Sequence, residues 1–286
     1  MTDVDALLAE RTRLIGVMDH YLCALADRDP GRLRLAPNFR YTEDAQHIAL
    51  GSGIWRTLRS REPGGHYFVD PEAGQIEYWG VVDEMGATAM IAIRLKIDGQ
   101  VISEAETIVT RAGALFEPAA AMEDVTTTFQ ASVEPQYRGS RDELIAAANL
   151  YFDAIELSDG DRVPVHDDCR RLVNGVVDSA DDPALVEHGE EHRALGVSRQ
   201  ITEGHYRYIE ALRDRRYPLV DTMRGQVVCH LLFDHPGDLP RPGGEFPIKS
   251  PNSMLFTEVF KVIAGRIDEI WALGSGPLPY GSRSGW

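Results

Sequence analysis

The chain has 286 residues, with 45 acidic against 29 basic side chains and a net charge of −16, a balance that repels phosphate backbones and anionic lipid, so neither nucleic acid nor membrane is an expected partner. Three cysteines (Cys23, Cys169 and Cys229) show no metal or redox spacing and exclude a disulfide framework, which points to a reducing compartment. The acidic start, Met1-Thr-Asp-Val-Asp5, is no secretory signal, and no stretch is apolar enough for a spanning helix, so the expected location is the cytoplasm and the length fits two ordinary domains.

From Val4 to Ala26 apolar residues recur at three- and four-residue spacing, predicting a helix with one buried face. A polar stretch follows, then the turn-rich Arg40-Tyr41-Thr42-Glu43-Asp44 and the short Gly65-His66-Tyr67. β-Branched and aromatic runs predict strands over 75–82, 88–97 and 101–110. Residues 118–139 read as a connector with room for a short helix. Ser140-Arg-Asp-Glu143 then forms a capping box before a second amphipathic helix over 144–157. The cluster Arg213-Asp-Arg215-Arg216 after Tyr208-Ile-Glu-Ala-Leu212 reads as a solvated helix end. Further strands are predicted over 226–233, 253–263 and 266–273, with Pro236 to Pro247 as a loop.

The second half echoes the first. Tyr21-Leu-Cys-Ala-Leu25, Asp29, Arg32 and Asp44 are answered in order by Tyr151-Phe-Asp-Ala-Ile155, Asp159, Arg162 and Asn174. Gly65-His66-Tyr67 is matched to Gly204-His205-Tyr206, and the segment from Glu106 to Gly113 to that from Glu258 to Gly265. The expected architecture is α+β, a tandem duplication with repeats at 1–117 and 140–286, the latter including a C-terminal tail. A long helix wrapped by a curved antiparallel sheet makes a cone, and its open end is a natural apolar pocket for a small molecule.

Strand alternation in Met254-Leu-Phe-Thr-Glu-Val-Phe-Lys-Val262 places Glu258 on the face of Phe256 and Phe260, where burial raises a carboxyl pKa into the useful range for proton transfer. Glu106 is read as its counterpart, with Glu104 beside it on one face; the alternative role for Glu106 is a buried salt bridge to Arg94 of the preceding strand. His66 and Tyr67, with His205 and Tyr206, are candidates for moving protons and donating to an oxyanion. The turn carrying Tyr41, Glu43, Asp44 and His47, with Trp55 close behind, concentrates polar chemistry on a loop. Because the second copy has Leu172 and Val173 where the first has Thr42 and Glu43, the N-terminal pocket is favoured for chemistry. His188-Gly-Glu-Glu-His192 matches a zinc-peptidase pattern but lacks an identifiable third ligand and contains glycine, so no metal is expected; no phosphate-binding or dinucleotide fingerprint implies a cofactor either.

The segments Arg40-Tyr-Thr-Glu-Asp44, Leu50-Gly-Ser-Gly-Ile-Trp-Arg-Thr57, Arg94-Leu-Lys96, Arg215-Arg-Tyr-Pro-Leu-Val-Asp221, Phe233-Asp-His-Pro-Gly237, Glu258-Val-Phe-Lys-Val262 and Leu278 to Trp286 resemble a family of two-repeat SnoaL-like proteins, with the nuclear-transport-factor-2-like or ketosteroid-isomerase-like cone. That fold hosts isomerases, dehydratases, cyclases, hydrolases and non-catalytic binders, so function rests on the site. The chain also resembles sphingomonad lyases that release formaldehyde from lignin-derived diarylpropanes without a cofactor. Where the family pattern has Glu-Asn-Gly at both turns, this chain has Glu43-Asp44-Ala45 and Val173-Asn174-Gly175.

The resulting expectation is a cofactor-independent lyase acting by general acid–base chemistry on a hydroxylated aromatic molecule, by retro-aldol loss of formaldehyde or by dehydration. Glu106, His66, Tyr41, Asp44 and Arg94 are the expected catalytic residues; His47, Trp55, Tyr67, Glu104, Arg171, Asn174, His205 and Glu258 are the expected substrate contacts. The rival readings are a hydrophobic-ligand carrier or scaffold and an isomerase. A homo-oligomer is expected because the outer face of such a sheet is often apolar.

Overall fold

The computed structural model describes residues 3–113, 117–120, 127–180, 193–237 and 250–286. Its packing divides the chain into residues 1–122 together with 285–286, and residues 123–284. The His188–His192 pattern and most of the proline-rich loop lie outside the described residues.

In the first unit, helix α1 (Asp3–Ala26) buries Leu14, Met18, Tyr21, Leu22 and Leu25, the stripe its spacing predicts. The strands are β1 (Leu35–Glu43), β2 (Gln46–His47), β3 (Leu58–Arg61), β4 (His66–Asp70), β5 (Gln75–Glu84), β6 (Ala87–Asp98) and β7 (Val101–Arg111), with the single-turn α2 (Ile54–Thr57) before β3. They order as β2-β1-β7-β6-β5-β3, with β4 also on β5. All pairings are antiparallel except β1 with β7. Alternation sends Ile91, Ile93, Leu95, Ala105 and Val109 into the cluster around α1 and leaves Arg94 and Glu106 on the other face.

The second unit opens with a short helix, α3 (Thr127–Gln130), taken from the segment read as a connector. Phe129 stacks on Trp271 at 5.3 Å, Gln226 Nε2 donates to the Phe129 carbonyl at 2.8 Å, and Lys261 Nζ donates to the Ala131 carbonyl at 2.7 Å. Helix α4 (Arg141–Leu157) carries the expected Ser140/Glu143 capping box. Then come β8 (Val165–Val173), β9 (Val176–Ser179), α5 (Val197–Thr202), β10 (Ala211–Asp221), β11 (Gln226–His235), β12 (Asn252–Ile263), β13 (Arg266–Gly274) and β14 (Leu278–Pro279). The order β10-β11-β12-β13-β8-β9 reproduces that of the first unit, again with a parallel pair, β8 with β13. The chain is thus two similar α+β units, each a helix on a curved mixed sheet.

Register corrects three readings. First, Tyr41 faces Ala105 across β1–β7 and Arg171 faces Ile270 across β8–β13, so β7 corresponds to β13 and β6 to β12. Glu258 lies on β12 opposite Ala272, while Ile93 lies on β6 opposite Thr107; Glu258 is therefore the counterpart of Ile93, not of Glu106. Second, His66 sits within β4 opposite Trp79, whereas Gly204-His205-Tyr206 forms turns between α5 and β10, so the two Gly-His-Tyr strings are not equivalent. Third, the arginine cluster belongs to strand β10. Arg213 binds Asp234 of the paired β11, and Arg215 reaches Asp153 and Glu156 on α4, at 2.5 and 2.8 Å.

Candidate active site

The expected catalytic residues of the first unit fall on opposite faces of its sheet. Glu106, Arg94, Glu104 and His66 occupy the face away from α1. Arg94 Nε donates to Glu106 Oε2 at 3.0 Å, Nη2 to Glu104 Oε2 at 2.9 Å and Nη1 to Gln75 Oε1 at 2.8 Å. The indole of Trp286 lies 4.8 Å from the Arg94 guanidinium and 4.3 Å from that of Arg40, and its Nε1 donates to Thr42 Oγ1 at 2.8 Å. His47 is exposed on β2, its ring 6.4 Å from Trp286. Glu106 is 1% exposed and held by its cross-strand arginine, which is the salt-bridge alternative rather than an inward-facing base.

Tyr41 and Trp55 do face the interior. The Tyr41 hydroxyl donates to Glu43 Oε2 at 3.1 Å, and the Ile54 N–H donates to the same oxygen at 2.8 Å. Gly53, at φ 61°, makes that approach possible, because a Cβ there would come within 2.2 Å of Glu43 Oε2. Trp55 packs edge-on against Tyr21 at 5.3 Å, and burial pushes the Tyr21 phenol far above its ordinary pKa. Tyr67 donates to Asp19 Oδ1 at 2.5 Å, tying β4 to α1.

Asp44 and Asn174 serve one architectural purpose in both units. Each has φ 47° in the turn after the first strand. Each donates its N–H to the last strand, to Thr107 and Ala272 respectively, at 2.9 Å. Each side chain then accepts a backbone N–H from that strand, Val109 at 2.8 Å and Gly274 at 2.9 Å. Burial raises the Asp44 pKa to about 6, against the opposing Val109 N–H and Arg111. This pinning of the parallel pair is what the repeated Asp/Asn position encodes.

The interior of the second unit is different. Phe260 packs on Tyr151 and Phe152 of α4 at 5.4 Å, so alternation along β12 aims Glu258 at the helix side as well. Glu258 is 0% exposed, and neither of its oxygens has a hydrogen-bond partner among the described residues. Arg171 Nη2 lies 3.9 Å from Glu258 Oε1, an ion pair without a hydrogen bond, while Nη1 donates to Asp178 Oδ2 on β9 at 2.5 Å and Nε has no partner among the described residues. The Tyr151 hydroxyl is buried and likewise has no partner among the described residues. Tyr206 lies under the Arg171 guanidinium at 5.4 Å and donates to Gln200 Oε1 at 3.0 Å; Gln200 Nε2 donates to the Asp178 carbonyl at 2.6 Å. Burial pushes the Glu258 carboxyl up to about 7; Arg171 opposes the rise and Asp178 adds to it. For Arg171, burial works against the charge, but the surrounding tyrosines, Asp178 and Glu258 outweigh it, and its pKa stands well above the ordinary value.

The structure thus gathers two expected residues, Glu258 and Arg171, into one constellation with Tyr151, Tyr206, Asp178 and Gln200. His205 lies in the turn beside it, Nε2 being 3.8 Å from Glu203 Oε2. Tyr151 was legible as the echo of Tyr21; Asp178 and Gln200 carry no comparable signal, since β9 and α5 meet only through the fold.

Residues 137–274 match the family described as Domain of unknown function (DUF8021). No curated protein matches the chain. Among solved structures, the chain is similar to a provisionally assigned polyketide cyclase from Xanthomonas campestris pv. campestris (15% identity, 46% of this chain and 90% of that one, TM-score 0.33). It is also similar to a de novo designed protein with a curved β-sheet (13%, 47% and 87%, 0.29) and to the BvnE pinacolase of Penicillium brevicompactum (13%, 48% and 88%, 0.30).

Proposed function

We propose that the second unit is an acid–base site that moves a proton on a hydroxylated aromatic small molecule, with Glu258 as the proton carrier and Arg171 as the stabilising cation. One observation carries this reading: a fully buried carboxylate that accepts no hydrogen bond among the described residues, raised to about 7, stands 3.9 Å from a guanidinium. Buried polar groups are ordinarily satisfied, and those left open mark where a ligand completes the set. The aromatic rings of Phe152, Phe260, Tyr151 and Tyr206 around it suit an aromatic substrate.

In its finer form the reaction is a lyase step. Glu258 takes the proton of a primary hydroxyl, the O–H electron pair becomes the second bond of formaldehyde, and the adjacent C–C bond breaks. The electron pair left on carbon is then protonated by the carboxylic acid just formed. Arg171 stabilises negative charge developing on oxygen, and the Tyr151 hydroxyl, without a partner among the described residues, is available to donate to it. Dehydration and isomerisation use the same proton carrier and differ in the bond that breaks. Glu258 is closed from solvent, which keeps bulk water away from the carboxylate.

The test is turnover of a panel of lignin-type dimers and polyketide-like phenols, followed by mass spectrometry and formaldehyde capture across pH. If Glu258 is the base, kcat/KM falls as pH drops through about 7 and Glu258→Gln loses about 10²- to 10⁴-fold in rate. Wild-type turnover in Glu258→Gln removes the assignment, and tight binding without turnover makes the unit a carrier.

A further inference from the structure

We propose a second, independent ligand site on the first unit: a surface groove that binds aromatic carboxylates. The groove encloses about 420 Å³ along α1, within the range of small-molecule sites. Arg13, Gly16, Val17 and His20 line it from a single helical stripe, at the i, i+3, i+4 and i+7 positions. Ile102 of β7, buried, completes an apolar floor with the half-buried Val17. Arg32 and Arg34, from the chain entering β1, form the far wall.

Two features point to an occupant. Gly16 lies mid-helix with open space where a Cβ would stand, so the helix carries its least favourable non-proline residue at the middle of the groove, where a side chain would fill the cavity. The charge is also inverted relative to the molecule: on a chain of net −16, three guanidiniums and no carboxylate line this groove among the described residues. Arg13 is engaged by Glu10 at 2.5 and 2.7 Å, and Arg32 by Asp27. Arg34 has only the neutral Gln100 side chain, at 3.4 Å, as its hydrogen-bond partner among the described residues. An uncompensated guanidinium fork beside an apolar floor fits a planar apolar body bearing one carboxylate, which the fork takes in bidentate fashion. His20 Nε2 is engaged with the Arg32 carbonyl at 3.0 Å, leaving Nδ1 to accept from a hydroxyl on the same ligand.

The experiment is calorimetric titration of the full chain with 2-naphthoate and with its neutral isostere 2-naphthamide. The expected result is one carboxylate bound per chain, with the amide about tenfold weaker or worse, as loss of a charge-assisted pair requires. Arg34→Gln lowers naphthoate affinity by about the same factor. Gly16→Leu, a favourable change for the helix, abolishes binding by filling the groove while the circular dichroism of the fold is retained. Glu258→Gln leaves the affinity unchanged, which separates this site from the second-unit interior. Equal affinity for acid and amide, wild-type affinity in both groove variants, or no binding at millimolar naphthoate would each overturn the proposal.

Discussion

Where the first cone has Tyr41 and Ile93 on its inner face, the second has Arg171 and Glu258 at the corresponding register positions. In the first unit Tyr41 is satisfied by Glu43, which also holds the Ile54 N–H and pairs with Arg111. In the second, Val173 stands at the position of Glu43. Nothing on that neighbouring position can quench the arginine, whose charge is met instead from β9 by Asp178 and, more loosely, by Glu258. Duplicated scaffolds diverge in what they leave open. One interior has a closed carboxylate, the other an open one.

The widest separation between the units is expected in turnover. Glu258→Gln lowers kcat by about 10²- to 10⁴-fold, the usual contribution of a positioned proton carrier, whereas Glu106→Gln leaves the rate of the folded protein unchanged; steady-state kinetics on both variants decides. Reversal of that ranking would return the chemistry to the first unit. In stability the ranking inverts. Glu106→Gln breaks a buried pair with Arg94 and destabilises by about 3 kcal/mol, read from urea unfolding.

The third prediction concerns pH. The Glu258 pKa is raised from 4.5 unfolded to about 7 folded. Its protonated form thus favours the native state below about 4.5, and that advantage is lost as pH rises through 7. Relative to wild type, Glu258→Gln should be equally stable at pH 4 and more stable by on the order of 2–3 kcal/mol at pH 8. A difference that does not vary with pH would mean that the carboxylate is not buried as described. The smallest effect is structural: Trp286→Ala removes the indole over Arg40 and Arg94 and costs the first unit about 1 kcal/mol, measured by thermal melting, with turnover unaffected.

Both helices, six central strands and the capping box were legible because each follows a period or a local motif. The strands β1 and β8 were not, since they were read as turn-rich segments; they become strands by pairing in parallel with β7 and β13, a non-local partnership. The alignment of Glu106 with Glu258 failed for a related reason. Strands share composition, so similar strings on different strands look homologous until register separates them. Glu258 itself was readable as inward-facing from Phe256 and Phe260, whereas rejecting the inward reading of Glu106 required knowing that Ala105 and Val109 take the helix side. The polar partners Asp178 and Gln200 were invisible because β9 and α5 are brought together by tertiary structure.

The placement of residues 285–286 within the first unit has a temporal consequence. On the ribosome, β1 through β7 emerge long before Trp286, so the nascent first unit holds Arg40 and Arg94 uncovered while the entire second unit is being translated. A premature stop anywhere in the later half therefore leaves a defect in the earlier one. Quality control that senses an incompletely finished first unit would, in this protein, be reading out synthesis as far as residues 285–286.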